Sequence, residues 1–140
     1  MKIKRVHHIG IAVRNLEESL TRWAALFGVN ASPVEEILDR GVRLAHLEFG
    51  EGPALELVSP LHAGSAVARF LEGRGEGIHH LTLEVEDLEG IMGYLKKSGL
   101  QFIDEKPQTG AGGSCIAFIH PKSLNGVLLE LREKKEEAAE

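Results

Sequence analysis

Cys115 is the only cysteine in the 140 residues. No intrachain disulfide can form, and a reducing compartment fits. No apolar run approaches the roughly 20 residues of a membrane-spanning helix. The N-terminus lacks the apolar core of a secretory signal, so the expected location is the cytoplasm, with no membrane partner. Positive charge is not in excess: the formal net charge is −5, which argues against nonspecific nucleic-acid binding. What is there is a globular composition, 43% hydrophobic and 26% charged, in a length that suits a single domain over residues 1–140. A chain of this size buries about two-thirds of its unfolded surface.

An internal repeat organises the rest. Val6-His7-His8-Ile9-Gly10-Ile11-Ala12-Val13 is echoed by Ile78-His79-His80-Leu81-Thr82-Leu83-Glu84-Val85. Both copies run on alike, as Asn15-Leu16-Glu17 and Asp87-Leu88-Glu89. A repeat of this length points to one structural unit built twice. Each copy alternates like a strand. Ile9, Ile11 and Val13 share one face, with His8, Gly10 and Ala12 on the other. Leu81, Leu83 and Val85 oppose His80, Thr82 and Glu84 in the same way. Each module therefore has a greasy face for a helix and a second face carrying one histidine.

The remaining elements follow in the same order twice. Asn15 and Glu18 form a capping box, and Leu16, Leu20, Trp23, Ala24 and Phe27 make a helical stripe that ends at Gly28. Trp23 and Phe27 are expected in the core. Strands are predicted over residues 41–49 and 54–58, with Leu44, His46 and Glu48 on one face of the first and Glu56 beside Ala54 and Val58 on the second. A short helix over 65–71 leads to a flexible link at 73–77, taken as the boundary between module one, about 4–72, and module two, about 77–132. Asp87 caps the second helix, which carries Leu88, Ile91, Met92 and Leu95. Strands are then expected near 101–105, 114–120 and 127–131. Residues 132–140 form a charged tail, expected to be frayed and solvated. The class is α+β, with helices on one side of mixed sheets.

Four residues stand out. His8 and His80 are 72 positions apart, and Glu56 and Glu130 are 74 apart in matching contexts, Ala54-Leu55-Glu56-Leu57 and Leu128-Leu129-Glu130-Leu131. Each module supplies one histidine from its first strand and one glutamate from its last. A carboxylate within an apolar strand is costly unless paired, protonated or bound to metal. Two imidazoles and two carboxylates suit a divalent transition metal with positions left open. Singly, each residue reads equally as an edge glutamate facing water or a histidine satisfied by backbone. His7 and His79 fall on the helix-facing side and are read as structural. Gly110-Ala111-Gly112-Gly113 lacks the following Lys-Ser/Thr of a phosphate loop, and Cys115 is expected to be a buried small residue.

The chain resembles the methylmalonyl-CoA epimerase family of the vicinal oxygen chelate superfamily. The resemblance is carried by residues 8–13, 56–61 and 77–81. It is carried too by Gly112-Gly113-Ser114, by Phe118-Ile119-His120-Pro121-Lys122 and by Gly126-Val127-Leu128-Leu129-Glu130-Leu131. It implies two βαβββ modules forming a glyoxalase-like cup around one divalent ion (cobalt, zinc, nickel or manganese) held by His8, Glu56, His80 and Glu130. It also implies a homodimer and an acyl-CoA substrate, epimerised by α-proton removal and return through a metal-stabilised enolate. Glu130 is a candidate for one proton transfer. Where some relatives carry a second carboxylate, this chain has Leu44; Glu48 and His46, on the same strand face, are the substitutes, and Glu84 is a third. Lys122 is read as solvated rather than as a CoA-phosphate contact. A lactoylglutathione lyase is an alternative, disfavoured by the His120-Pro121-Lys122 turn. A metal-free binding module is another, disfavoured by the intact quartet.

Overall fold

The computed structural model describes residues 2–135. Its order is β1 (Lys2–Ala12), α1 (Leu16–Phe27), β2 (Glu35–Ile37), β3 (Val42–Leu47) and β4 (Ala54–Pro60), then α2 (Ala66–Arg74). There follow β5 (Gly77–Glu86), α3 (Leu88–Lys97), β6 (Gln108–Thr109), β7 (Cys115–Ile119) and β8 (Leu129–Glu133). The mixed α+β class and the doubled strand–helix–three-strand order are therefore as the repeat predicts. No helix among the described residues is long and apolar enough to cross a membrane. The chain divides into two compact units. One is His8–His80; the other joins the strand residues up to His7 to the chain from Leu81 onward. The division falls inside β1 and β5. α2 runs on through Arg74 and closes where the Gly75 N–H donates to the Leu71 carbonyl.

In the unit His8–His80 the strand order is β2-β3-β4-β1. β1 and β4 are parallel, with Gly10 opposite Glu56. β3 and β4 are antiparallel, with His46 opposite Glu56. One ladder thus carries His46, Glu56 and Gly10 side by side on one face. The opposite face is greasy: Leu47 and Leu57 pack with Val13, Leu16 and Leu20 of the α1 region. Each fully buried leucine contributes on the order of 1.5–3 kcal/mol, which fixes which face of the sheet turns away from the helix. The Asn15 side chain accepts the Glu18 N–H, and Gly28, at φ 65°, ends the helix as expected. Trp23 packs against the core, but Phe27 is 59% exposed, its ring edge-on to Phe49. The stripe is wider than the sheet beneath the last turn can cover.

In the other unit the order is β5-β8-β7-β6. β5 and β8 are parallel, with Thr82 opposite Glu130. This is the register of Gly10 opposite Glu56, shifted along the repeat. Val85, Leu88, Ile91, Met92, Ile119 and Leu131 form the core. Asp87 caps α3 through the Gly90 N–H from a left-handed backbone (φ 59°), where Asn15 is extended; the short aspartate tolerates this conformation. Four expectations are corrected. Residues 101–105 make only a Phe102–Ile119 bridge, and the paired edge is Gln108–Thr109. The closing strand starts two residues later than expected, because the turn continues through Gly126 (φ 84°) and the Val127 N–H to Leu124 bond. Arg132 and Glu133 therefore belong to β8 rather than to the tail, of which residues 136–140 lie outside the described residues. Cys115 is exposed at the start of β7, not buried.

Candidate metal centre

β1, β4 and β5 position three of the four residues that the repeat singles out. His8, Glu56 and His80 are 2%, 4% and 5% exposed, and one ligand atom from each lies within 4.8 Å of the others. His8 Nε2 is 3.2 Å from His80 Nε2 and 3.2 Å from Glu56 Oε2; His80 Nε2 is 3.5 Å from Glu56 Oε1. The imidazole of His80 lies where a Cβ on Gly10 would stand. Glycine is thus required at position 10 for space, not for backbone freedom.

The outer atoms are engaged as well. His80 Nδ1 is 2.9 Å from His79 Nδ1, which occupies the outer ring nitrogen and turns Nε2 inward. His79 itself packs edge-on to Phe70 of α2, with ring centroids 4.9 Å apart. It is structural, as its helix-facing side predicts, but it also orients His80. His46 Nε2 is 3.0 Å from Glu56 Oε2. Burial works to raise the Glu56 pKa. The bonds from His46 and His80, with the charges of His8 and His80, outweigh it and hold the carboxyl well below the usual range. The site is built around an anion.

These residues fit a divalent ion. Donors bound at about 2.1 Å in adjacent positions stand about 3 Å apart, close to the 3.2 Å between the two Nε2 atoms and the 3.5 Å from His80 Nε2 to Glu56 Oε1. Two imidazole nitrogens facing each other beside a buried carboxylate invite a cation between them, and imidazole with carboxylate suits zinc, cobalt, nickel and manganese alike.

Glu130 lies in the other unit. It is buried, and the Thr82 hydroxyl donates to its Oε1 at 2.5 Å. Glu84 is held there by Arg5 at 3.4 Å, Arg132 at 3.5 Å and Lys4 at 4.0 Å, with the His7 imidazole at 3.8 Å. Glu48 is exposed and lies just beyond the end of β3. His62 and His120 cap their own turns through the Gly64 and Lys122 N–H groups. The residues that sequence reasoning underrated are His46 as a partner of Glu56, and His79 as a partner of His80. Strand parity puts His46 on the right face, but only the β3–β4 register places it opposite Glu56.

Comparison with known proteins identifies the family. Residues 7–118 match the Glyoxalase/Bleomycin resistance protein/Dioxygenase superfamily. A mitochondrial methylmalonyl-CoA epimerase of Dictyostelium discoideum is 36% identical over 133 residues, covering 94% of this chain and 80% of that protein. The crystal structure of methylmalonyl-CoA epimerase from Mycobacterium tuberculosis superposes with a TM-score of 0.91 at 34% identity, covering 96% of this chain and 90% of that one. A Streptomyces coelicolor methylmalonyl-CoA epimerase variant in complex with 2-nitronate-propionyl-CoA gives a TM-score of 0.88 at 32% identity, covering 96% and 99%. With its doubled βαβββ order, its buried histidine–glutamate cluster and these relatives, the chain belongs to the glyoxalase/bleomycin resistance protein/dioxygenase superfamily, among the methylmalonyl-CoA epimerases.

Proposed function

We propose that this chain is a metal-dependent epimerase that interconverts (R)- and (S)-methylmalonyl-CoA. The observation that carries the reading is the buried cluster of His8, Glu56 and His80, with atoms spaced for one divalent ion, in a chain whose relatives bear that activity in their names. Glu130 is assigned as the fourth ligand. Its support is the repeat: Glu130 stands opposite Thr82 as Glu56 stands opposite Gly10. Cobalt, zinc, nickel and manganese all suit such a donor set. When bound, the ion supplies Lewis acidity to the thioester oxygen, where enolate charge develops.

The substrate's α-carbon lies between a thioester and a carboxylate, so its proton is acidic enough for a carboxylate base. Inverting that carbon needs one group to take the proton and another, on the opposite face, to return one. Glu130 is assigned to one transfer. It is buried, and the Thr82 hydroxyl donates to it and steadies the carboxyl group. Glu48 is assigned to the other; being exposed, it can exchange its proton with water. Glu84 is less suited, because its carboxylate is already engaged by Arg5 and Arg132. The relative's nitronate ligand is a planar, delocalised anion like an enolate, which supports the same chemistry here. A cytoplasmic homodimer acting on a small acyl-CoA completes the proposal.

The test is proton NMR of methylmalonyl-CoA in heavy water with metal-replete protein. The α-proton signal should vanish and each epimer should yield the other, while the glutathione hemithioacetal gives no lactoylglutathione. Turnover of the hemithioacetal with an inert CoA ester would overturn the assignment in favour of the lyase.

A further inference from the structure

Glu56 has two oxygens, and they are not equivalent. Oε2 is contacted by His46 Nε2 at 3.0 Å and by His8 Nε2 at 3.2 Å, whereas Oε1 faces His80 Nε2 at 3.5 Å. An ionised carboxylate only accepts hydrogen bonds, so the His46 contact requires the proton on His46 Nε2. The contact is set by backbone. His46 and Glu56 are directly opposed in the β3–β4 ladder. The His46 residue is pinned a second time by Ser32, whose hydroxyl accepts the His46 N–H at 2.8 Å while its own N–H donates to the His46 carbonyl at 2.8 Å. His46 is not itself one of the three residues whose ligand atoms converge within 4.8 Å. It stands behind the cluster, gripping one ligand from the side.

We propose that His46 is a positioning residue for the metal ion: it occupies Oε2 of Glu56, so that Glu56 offers the ion a single oxygen, Oε1. The proposal rests on the metal reading of the site given above. A carboxylate that grips through one oxygen takes one coordination position instead of two, which keeps a position open for a substrate oxygen. An ungripped Glu56 is free to rotate about its terminal bond and present both oxygens. The metal would then be held in a more variable geometry and with fewer exchangeable waters.

Two variants separate positioning from folding. The amide nitrogen of glutamine reaches about as far as imidazole Nε2, whereas that of asparagine falls a methylene short. His46→Gln therefore keeps the donor and His46→Asn withdraws it, with little change in polarity. Metal-stripped wild type and both variants are titrated with Co²⁺ by calorimetry, and Mn²⁺-loaded samples are compared by water-proton relaxivity. In His46→Asn the metal dissociation constant should rise about 10- to 100-fold and the relaxivity should fall. His46→Gln should stay near wild type in both. Equal affinities and relaxivities in all three proteins, or equal losses in both variants, would overturn the proposal while leaving the metal site standing. Wild type that takes up neither ion would remove the metal reading and this inference together.

Discussion

At the scale of single residues, the site depends on what position 10 lacks. The His80 imidazole fills the space beside the Gly10 backbone, and Gly10 stands opposite Glu56 in the ladder. Gly10→Ala forces the ring aside or spreads β1 from its neighbour. We expect a loss of about 1–3 kcal/mol of stability, as for other overpacked interiors, read from denaturant midpoints, with weaker metal uptake in the same protein. Unchanged stability and unchanged metal affinity would mean that His80 can sit elsewhere without penalty. Much of this scale was legible in the sequence. The repeat alone named His8, Glu56 and His80, because a histidine and a glutamate recurring in matched strands leave few other readings. His46 was legible only as a face. Its partner depends on cross-strand register, which one sequence does not encode locally. The tertiary exposure of Phe27 and Cys115 was likewise beyond periodicity, which reports the side of an element but not whether a neighbour covers it.

At the scale of elements, an ion pair ties α1 to the strand that carries His46. The Arg43 guanidinium on β3 bonds the Glu17 carboxylate in the first turn of α1. That bond from Arg43 holds the Glu17 carboxyl below its ordinary range and raises the Arg43 pKa in return. A carboxylate whose folded pKa is depressed stabilises the fold above its unfolded value of about 4.3, and that stabilisation disappears as pH falls through the lower folded value. NMR titration should find the Glu17 carboxyl midpoint lowered in wild type and shifted upward in Arg43→Ala; equal midpoints would contradict the pairing. Both partners are exposed enough that the effect on overall stability is small. Elements with strong signals, α1, α3, β1 and β5, were readable from caps and alternation. β2 and β6 were not: at three and two residues they are shorter than any period that could reveal them. β8 was displaced because the Gly126 turn is longer than its sequence suggests.

At the scale of the whole molecule, duplication shows in register and not only in sequence. Gly10 opposite Glu56 and Thr82 opposite Glu130 are the same pairing built twice. What has diverged is the residue beside each glutamate. In one unit glycine makes room for an imidazole; in the other threonine donates a hydrogen bond to the carboxylate. The sequence offset revealed the duplication, but the difference in surroundings between the two glutamates needed the side-chain contacts. The most direct test of the central claim strips the protein of metal and returns Co²⁺ stepwise, following α-proton exchange of methylmalonyl-CoA in heavy water. Exchange should be absent at the start, rise in proportion to the metal added and level off at one ion per chain. Full exchange in the stripped protein, or none in a folded protein that has bound its ion, would contradict the account.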